Sequence, residues 1–470
     1  MKKEQFKNIV LTLLVVMNIV LGSNILFDKK LWPSGYNFFN FSNLPLIGCF
    51  RNQDNNLLNV EKAQHLTMPD KIIFNTGDQS TRFSLRSNDS EYEKTIEECN
   101  KILSAGLKAK NENIIEILPE EWFSSLMSKS VYLSYYTEFG TNFFANSLGI
   151  IDTFVDDKIN SFSNVVIEIS DNTNIYIEDS HSNKYYKIIT DQENKTFNYI
   201  VSEVIKNRIN DGETIINYSF DLNFDKPFGD QKTIISSMVP IYSETQKVPV
   251  VIVKNPLVSE GKLDNIKINN IATLFNMNPN TAKRYTDAEG NIVYVENNAT
   301  LMISPEGVIE YKAKDLGIIL AQSGNHYNAI AKLNDFLGRI GNLTGGNMGL
   351  YLSSNALSSE DAVTFDYICQ GLPVKINLND IEHAVSATVI DGNMKELRYM
   401  VRHYSLSNET VFTPEYITAV DDTIQKYSDI NGEITINKMY LAYVDEGVQE
   451  TLTPHWHTEV NAVLYEDKEG

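Results

Sequence analysis

Lys283-Arg284-Tyr285-Thr286 and Ile292-Val293-Tyr294-Val295 are two β-prone runs joined by Asp287-Ala288-Glu289-Gly290-Asn291. The same arrangement follows at once, with Thr300-Leu301-Met302-Ile303-Ser304 and Val308-Ile309-Glu310-Tyr311 on either side of Pro305-Glu306-Gly307. β-Branched and aromatic residues fit a pleated surface, and a short glycine-bearing turn returns the second run beside the first. Two hairpins in succession predict an antiparallel meander, with Tyr285 and Tyr294 filling its core. A helical start at Ile271-Ala272-Thr273-Leu274-Phe275 precedes them. Helix and antiparallel sheet are therefore segregated, which predicts an α+β fold and not a doubly wound parallel sheet.

The pattern extends in both directions. Toward the C-terminus, residues 325–340 place Ile330, Leu333, Phe336, Leu337 and Ile340 on one helix face. Strands are expected at 347–353, 362–369, 384–390, 397–404 and 439–445, with Gly371-Leu372-Pro373-Val374 as an interruption and a helix over 414–427. Toward the N-terminus, Pro240, Pro249 and Pro256 punctuate strand-like runs. A hairpin is expected from 165–169 and 174–178 around Asp171-Asn172, then a strand at 185–190 and a helix over 197–209. Further back lie a strand at 71–75 and a helix carrying Tyr92, Ile96, Cys99 and Leu103 on one face, with Ser90 and Glu93 as its capping box. A helix at 119–127, with Trp122 and Leu126 on one face, and a strand at 131–136 follow it. The resulting division is a lead-in over 28–67, an N-terminal region 68–209, a middle α+β domain 210–321 and a C-terminal α+β domain 322–470.

The chain opens differently. Residues 9–27 form 19 uncharged residues. At about 1.5 Å per residue they extend roughly 28 Å, close to the ~30 Å hydrocarbon core of a bilayer. Lys2, Lys3 and Lys7 precede this run, so residues 1–8 are expected in the cytoplasm and everything from Asp28 outside. A cleaved signal peptide is the rival reading; Val20-Leu21-Gly22 is a poor cleavage site and the apolar run continues through Ile25, Leu26 and Phe27. Within the anchor, Asn18 and Gly22 share a helix face, with Thr12 and Ser23 beside them. In lipid, a buried amide seeks a partner on another helix and glycine permits close approach, so these four residues are candidate partner contacts.

The net charge of −21 includes a net +2 from residues 1–27, which leaves −23 for the remainder. Such a surface repels nucleic acid. Three cysteines, Cys49, Cys99 and Cys369, are too few for a disulfide framework, although a Cys49–Cys99 bridge stays open. No phosphate loop, dinucleotide fingerprint, nucleophile elbow or paired-histidine metalloprotease motif occurs. His455-Trp456-His457 is the most chemical-looking spot: on a strand, both imidazoles and Glu459 share a face that a metal would use. The competing reading is a terminal edge strand with Trp456 turned inward. His326, His383 and His403 are isolated, Cys369 reads as a small core residue, and Asp156-Asp157 and Asp421-Asp422 read as solvated pairs. The expectation is no catalytic residue, no cofactor and no metal.

The ordered features resemble those of a known family. The lysine-led anchor, Leu31-Trp32, Met68-Pro69-Asp70-Lys71-Ile72-Ile73, Glu120-Glu121-Trp122 and Val131-Tyr132-Leu133 are similar to the first half of YycH proteins. Residues 287–295, Gly307-Val308-Ile309-Glu310-Tyr311, Gly371-Leu372-Pro373-Val374 and Leu452-Thr453-Pro454-His455-Trp456 resemble features shared by YycH and its relative YycI. The resemblance implies a regulator, without a catalytic site, of the WalK–WalR cell-wall two-component system of low-GC Gram-positive bacteria. It also implies contacts, largely through membrane helices, with a WalK-like sensor histidine kinase and a YycI-like protein. Two other readings stay open: an envelope-ligand-binding module with a passive anchor, and an extracytoplasmic hydrolase or metal enzyme centred on His455 and His457.

Overall fold

The computed structural model describes residues 65–464, apart from 79–80, 171–172, 183, 191–193, 212–215, 224–232, 237, 243–244, 297, 322–325, 346–348, 354–361, 379–380, 428–431 and 448. The anchor and the greater part of the lead-in therefore lie outside the described residues. Among those residues, no helix is long and apolar enough to cross a membrane.

Strict two-residue alternation along the expected strand at 131–136 shapes the first sheet. Val131, Leu133 and Tyr135 turn to one face, and Tyr132 and Ser134 to the other. Seven strands assemble around it: β1 (Pro69–Thr76), β2 (Arg82–Leu85), β3 (Ile114–Ile117), β4 (Lys129–Gly140), β5 (Ser161–Glu168), β6 (Asn174–Asp179) and β7 (Lys184–Ile189). Their order is β2-β1-β4-β5-β6-β7-β3, antiparallel throughout. On the first face, Ile72, Phe74, Val131, Leu133 and Val165 share a core with Cys99 and Leu103 of the helix Tyr92–Gly106 and with Phe197 and Val201 of the helix Lys195–Asp211. On the second, Ile73, Tyr132, Val166 and Tyr176 pack under Trp122 and Leu126 of the helix Pro119–Met127 and under the strand Ile216–Tyr218.

The two hairpins that begin at Lys283 seed a second sheet. Its main path runs Lys283–Thr286, Ile292–Glu296, Ala299–Ile303, Val308–Ala313, Asn393–Met400, Val385–Ile390, Ala362–Cys369, Leu372–Ile376, Gly432–Asp445, Pro454–Leu464. The helices Asn265–Leu274 and His326–Thr344 pack into the same core, where Phe275 meets Tyr311 and Phe336. Phe143, from the helix Thr141–Ser147, contacts Tyr327 edge-on and carries the core from one sheet to the other.

Several expectations need correction. The boundary at 321/322 falls inside the second sheet, because Val308–Ala313 pairs with Asn393–Met400. Thr233–Ile235 likewise pairs with Gly432–Asp445, and Lys247–Lys254 with His403–Phe412. Gly371-Leu372-Pro373-Val374 does not interrupt the sheet. Gln370 and Gly371 both have positive φ, as a two-residue hairpin turn requires, and Leu372–Ile376 continues as a strand. Ser90 does not cap its helix: Glu91 is the N-cap residue, without a side-chain bond, and Asp89 instead accepts from the Arg86 amide at 2.7 Å. Tyr294 is fully buried as expected, but Tyr285 is 46% exposed because its strand is the sheet's edge.

The expected strand at 397–404 is two strands in different sheets, Asn393–Met400 and His403–Phe412, broken at Val401 and Arg402. Arg402 is buried there: Nε lies 3.5 Å from Asp445 Oδ2, and Nη1 donates to Glu306 O at 2.6 Å. Tyr404 donates to the same Asp445 oxygen at 2.8 Å, while the Arg402 amide donates to Tyr367 Oη at 3.1 Å. Gly307, at φ +95°, makes room, since a Cβ there would stand 2.7 Å from Arg402 Nη1. Arg402→Met is expected to cost about 3–5 kcal/mol, because it leaves a buried carboxylate unpaired. Tyr404→Phe removes one hydrogen bond to that carboxylate and should cost about 1.5–3 kcal/mol. Urea denaturation of the two variants against the parent measures both.

Candidate functional site

Where the helix Pro119–Met127 stops covering the second face of the first sheet, that face turns polar. Ser134 pairs across the ladder with Asn164, and Glu178 with Tyr185. Asn164, one step on from the Val165–Ile177 pair, stands beside Glu178, so hydroxyl, amide, carboxyl and phenol form a cross-strand row. Tyr132 Oη donates to Asn164 Oδ1 at 2.7 Å, and both Asn164 and Tyr185 hydrogen-bond the Glu178 carboxylate.

The opposite wall comes from the second sheet. Tyr351 pairs with Asp366, Tyr440 with His457 and Lys438 with Glu459, which puts these side chains with Lys375 on one polar face. The two walls touch where the Tyr136 ring stacks on Tyr351, with centroids 4.0 Å apart, and where Lys438 Nζ donates to Tyr136 O at 3.3 Å. Between them is a cleft of about 530 Å³, lined mainly by Tyr, Ser and Asn with four carboxylates and three lysines.

Each lysine has a carboxylate beside it. Lys71 Nζ lies 3.1 Å from Asp70, Lys438 Nζ 3.8 Å from Glu459 and Lys375 Nζ 3.9 Å from the buried Asp366. Glu178 differs. Among the described residues no cation forms an ion pair with it; its partners are the neutral Asn164 and Tyr185. Burial raises its pKa above the usual carboxylate value, and the two hydrogen bonds only partly oppose this.

At one edge of the cleft Ser353, a lining residue, meets His383 and Asp366, residue types that counting in the sequence could not arrange. Asp366 Oδ2 lies 3.0 Å from His383 Nδ1, and Ser353 Oγ approaches the same nitrogen at 3.5 Å. A hydrolytic triad needs the acid and the nucleophile on opposite ring nitrogens, so the imidazole cannot relay a proton between these two. Asp366 also accepts from the Ala384 amide, and Ser353 bonds Thr364, which marks the trio as a structural network.

His455, His457 and Glu459 do share a strand face, as their spacing requires. They are otherwise engaged. His455 Nε2 is 3.3 Å from Thr453 Oγ1, His457 stacks on Tyr440, and Glu459 accepts from Tyr440 Oη. Burial, then Lys375 and His455, push the His457 pKa down. No three metal-ligating side chains converge among the described residues. Trp456 is half-buried and donates to Pro414 O at 2.8 Å. His326 packs against Phe143, and burial and Lys267 lower the pKa of His403. Cys99 and Cys369 are buried free thiols, the second pushed up to about 11; neither is a thiolate at neutral pH. Cys49, Thr12, Asn18, Gly22 and Ser23 lie outside the described residues.

No family model and no curated protein matches this chain. Among solved structures, YycH from Bacillus subtilis matches with a TM-score of 0.56 at 13% identity, covering 85% of this chain and 96% of that one. The chain therefore has a YycH-like fold, in agreement with the family resemblance of its motifs.

Glu178 generates a stability prediction. A carboxyl whose folded pKa exceeds its unfolded value binds its proton more tightly when folded. It therefore favours folding at low pH, and this contribution is lost as pH rises through the folded pKa. Glu178→Gln should accordingly raise the melting temperature at about pH 7.5, with the gain shrinking as the pH falls into the acid range where the parent carboxyl takes up its proton. Thermal melts of the two proteins across that range test it.

Proposed function

We propose that this chain is a membrane-anchored accessory regulator that modulates a WalK-like sensor histidine kinase, alongside a YycI-like partner. The observation that carries this reading is the likeness to YycH over 85% of the chain. The order of the sequence motifs supports it independently. In this reading residues 9–27 cross the cell membrane once, with the N-terminus cytoplasmic and the α+β portion outside.

The mechanism proposed is a population shift. A helix that packs better against one conformation of the kinase stabilises that conformation by the difference in packing energy. Asn18 and Gly22, flanked by Thr12 and Ser23, supply the polar and small face for that packing. No catalytic role is proposed, and the shared Nδ1 contact of Ser353 and Asp366 supports leaving one out.

A second reading, an envelope-ligand-binding module with a passive tether, draws support from the polar cleft. Replacing Asn18 and Gly22 together with leucine separates the two. The helix-contact mechanism expects co-purification with the kinase and modulation of its autophosphorylation both to fall. Unchanged association and signalling in the double variant would remove it and leave the passive anchor.

A further inference from the structure

We propose that the cleft between the two sheets binds an alkylammonium group, seated on the Glu178 carboxylate. Its volume of about 530 Å³ is in the range of small-ligand sites, about 300–1,000 Å³, and suits a side chain with its flanking polar groups. Its walls are rich in Tyr, Ser and Asn, which combine broad amphipathic contact with adaptable hydrogen bonding.

The charges select the ligand. Lys71, Lys375 and Lys438 stand beside Asp70, Asp366 and Glu459, so a ligand carboxylate or phosphate would compete with existing pairs. Glu178 has hydrogen-bond donors but no cationic partner among the described residues. Burying that charge is costly, and a ligand cation offsets the cost, most effectively where water is excluded.

Geometry narrows the cation further. A metal ion favours several anionic or imidazole ligands in convergence, and no three His, Cys, Asp or Glu side chains converge among the described residues. A guanidinium is best held by both oxygens of an open carboxylate in a planar fork, whereas the Glu178 carboxylate already has Asn164 and Tyr185 beside it as donors. An ammonium is a compact point charge that one remaining lone pair accommodates. A free polyamine and a lysyl side chain on a peptide both present that chemistry.

Isothermal titration of the full-length chain in detergent micelles tests the proposal without the kinase, so failure would leave the regulatory reading standing. The probes are acetyl-Ala-Lys-Ala-amide, its norleucine isostere and 1,5-diaminopentane. Binding of the lysyl peptide assigns a peptide source, and binding of diaminopentane alone assigns a free amine. The norleucine peptide should not bind. Glu178→Gln should weaken the amine probe by about tenfold or more, in keeping with a lost charge-assisted hydrogen bond. That variant is expected to be the more stable protein at neutral pH, so misfolding cannot account for the loss. Ser180→Trp, at the cleft's rim, should block entry and provides a second check with Glu178 intact. Equal binding of the lysine and norleucine peptides, unchanged affinity in Glu178→Gln, or no binding of either amine at millimolar concentration would each overturn the proposal.

Discussion

Arg402 and Asp445 bury opposite charges at the point where the chain leaves one sheet for another. Removing two ions from water is so costly that such a pair contributes little net stability compared with well-packed apolar residues. What it imposes is geometry. The guanidinium is satisfied only if the turn before Val308, the strand break at Val401 and the end of Gly432–Asp445 all meet it at once. That last strand also carries Lys438 and Tyr440 into the cleft. A constraint deep in the second sheet thus sets the position of the wall that faces the first.

The parts of this fold legible in the sequence are those governed by local periodicity. The helix His326–Thr344 buries Ile330, Leu333, Phe336, Leu337 and Ile340, and the hairpins between Lys283 and Tyr311 pair in the expected register. What local reading misses is non-local. Val401 and Arg402 look like continuing strand because nothing in their own side chains announces the partner, Asp445, 43 residues away. Gly371-Leu372-Pro373-Val374 reads as an interruption, although the positive φ of Gln370 and Gly371 makes a hairpin turn. Segregated strand runs suggested separate middle and C-terminal domains, yet hydrophobic pattern carries no information about which run pairs with which.

The cleft was illegible for the same reason. Glu178 sits two residues from the buried Tyr176 on the same face, so a carboxylate in an otherwise inward series was its one local signal. Its significance depends on no cation among the described residues pairing with it, which is a statement about three dimensions. His455-Trp456-His457 illustrates the converse: a conspicuous local motif whose members, once placed, serve the packing of an edge strand.

The cleft lies at a mechanically useful place for the regulatory role proposed above. On the side of the helices Thr141–Ser147 and His326–Thr344, one continuous apolar core joins the two sheets. On the cleft side, the walls meet through the Tyr136–Tyr351 stack and the Lys438 bond to Tyr136 O. A ligand bridging those walls would add contacts that depend on the angle between the sheets, and so would favour one arrangement by its differential affinity alone. Coupling worth about 1–3 kcal/mol is typical of such linkage, which one charge-assisted contact can supply. Because linkage is reciprocal, whatever conformation the anchor's partners favour would in turn set how tightly the cleft holds its ligand. Under the proposed function, the contact helix and the binding module then cease to be rivals: the helix would be the output of an equilibrium that the cleft is placed to bias.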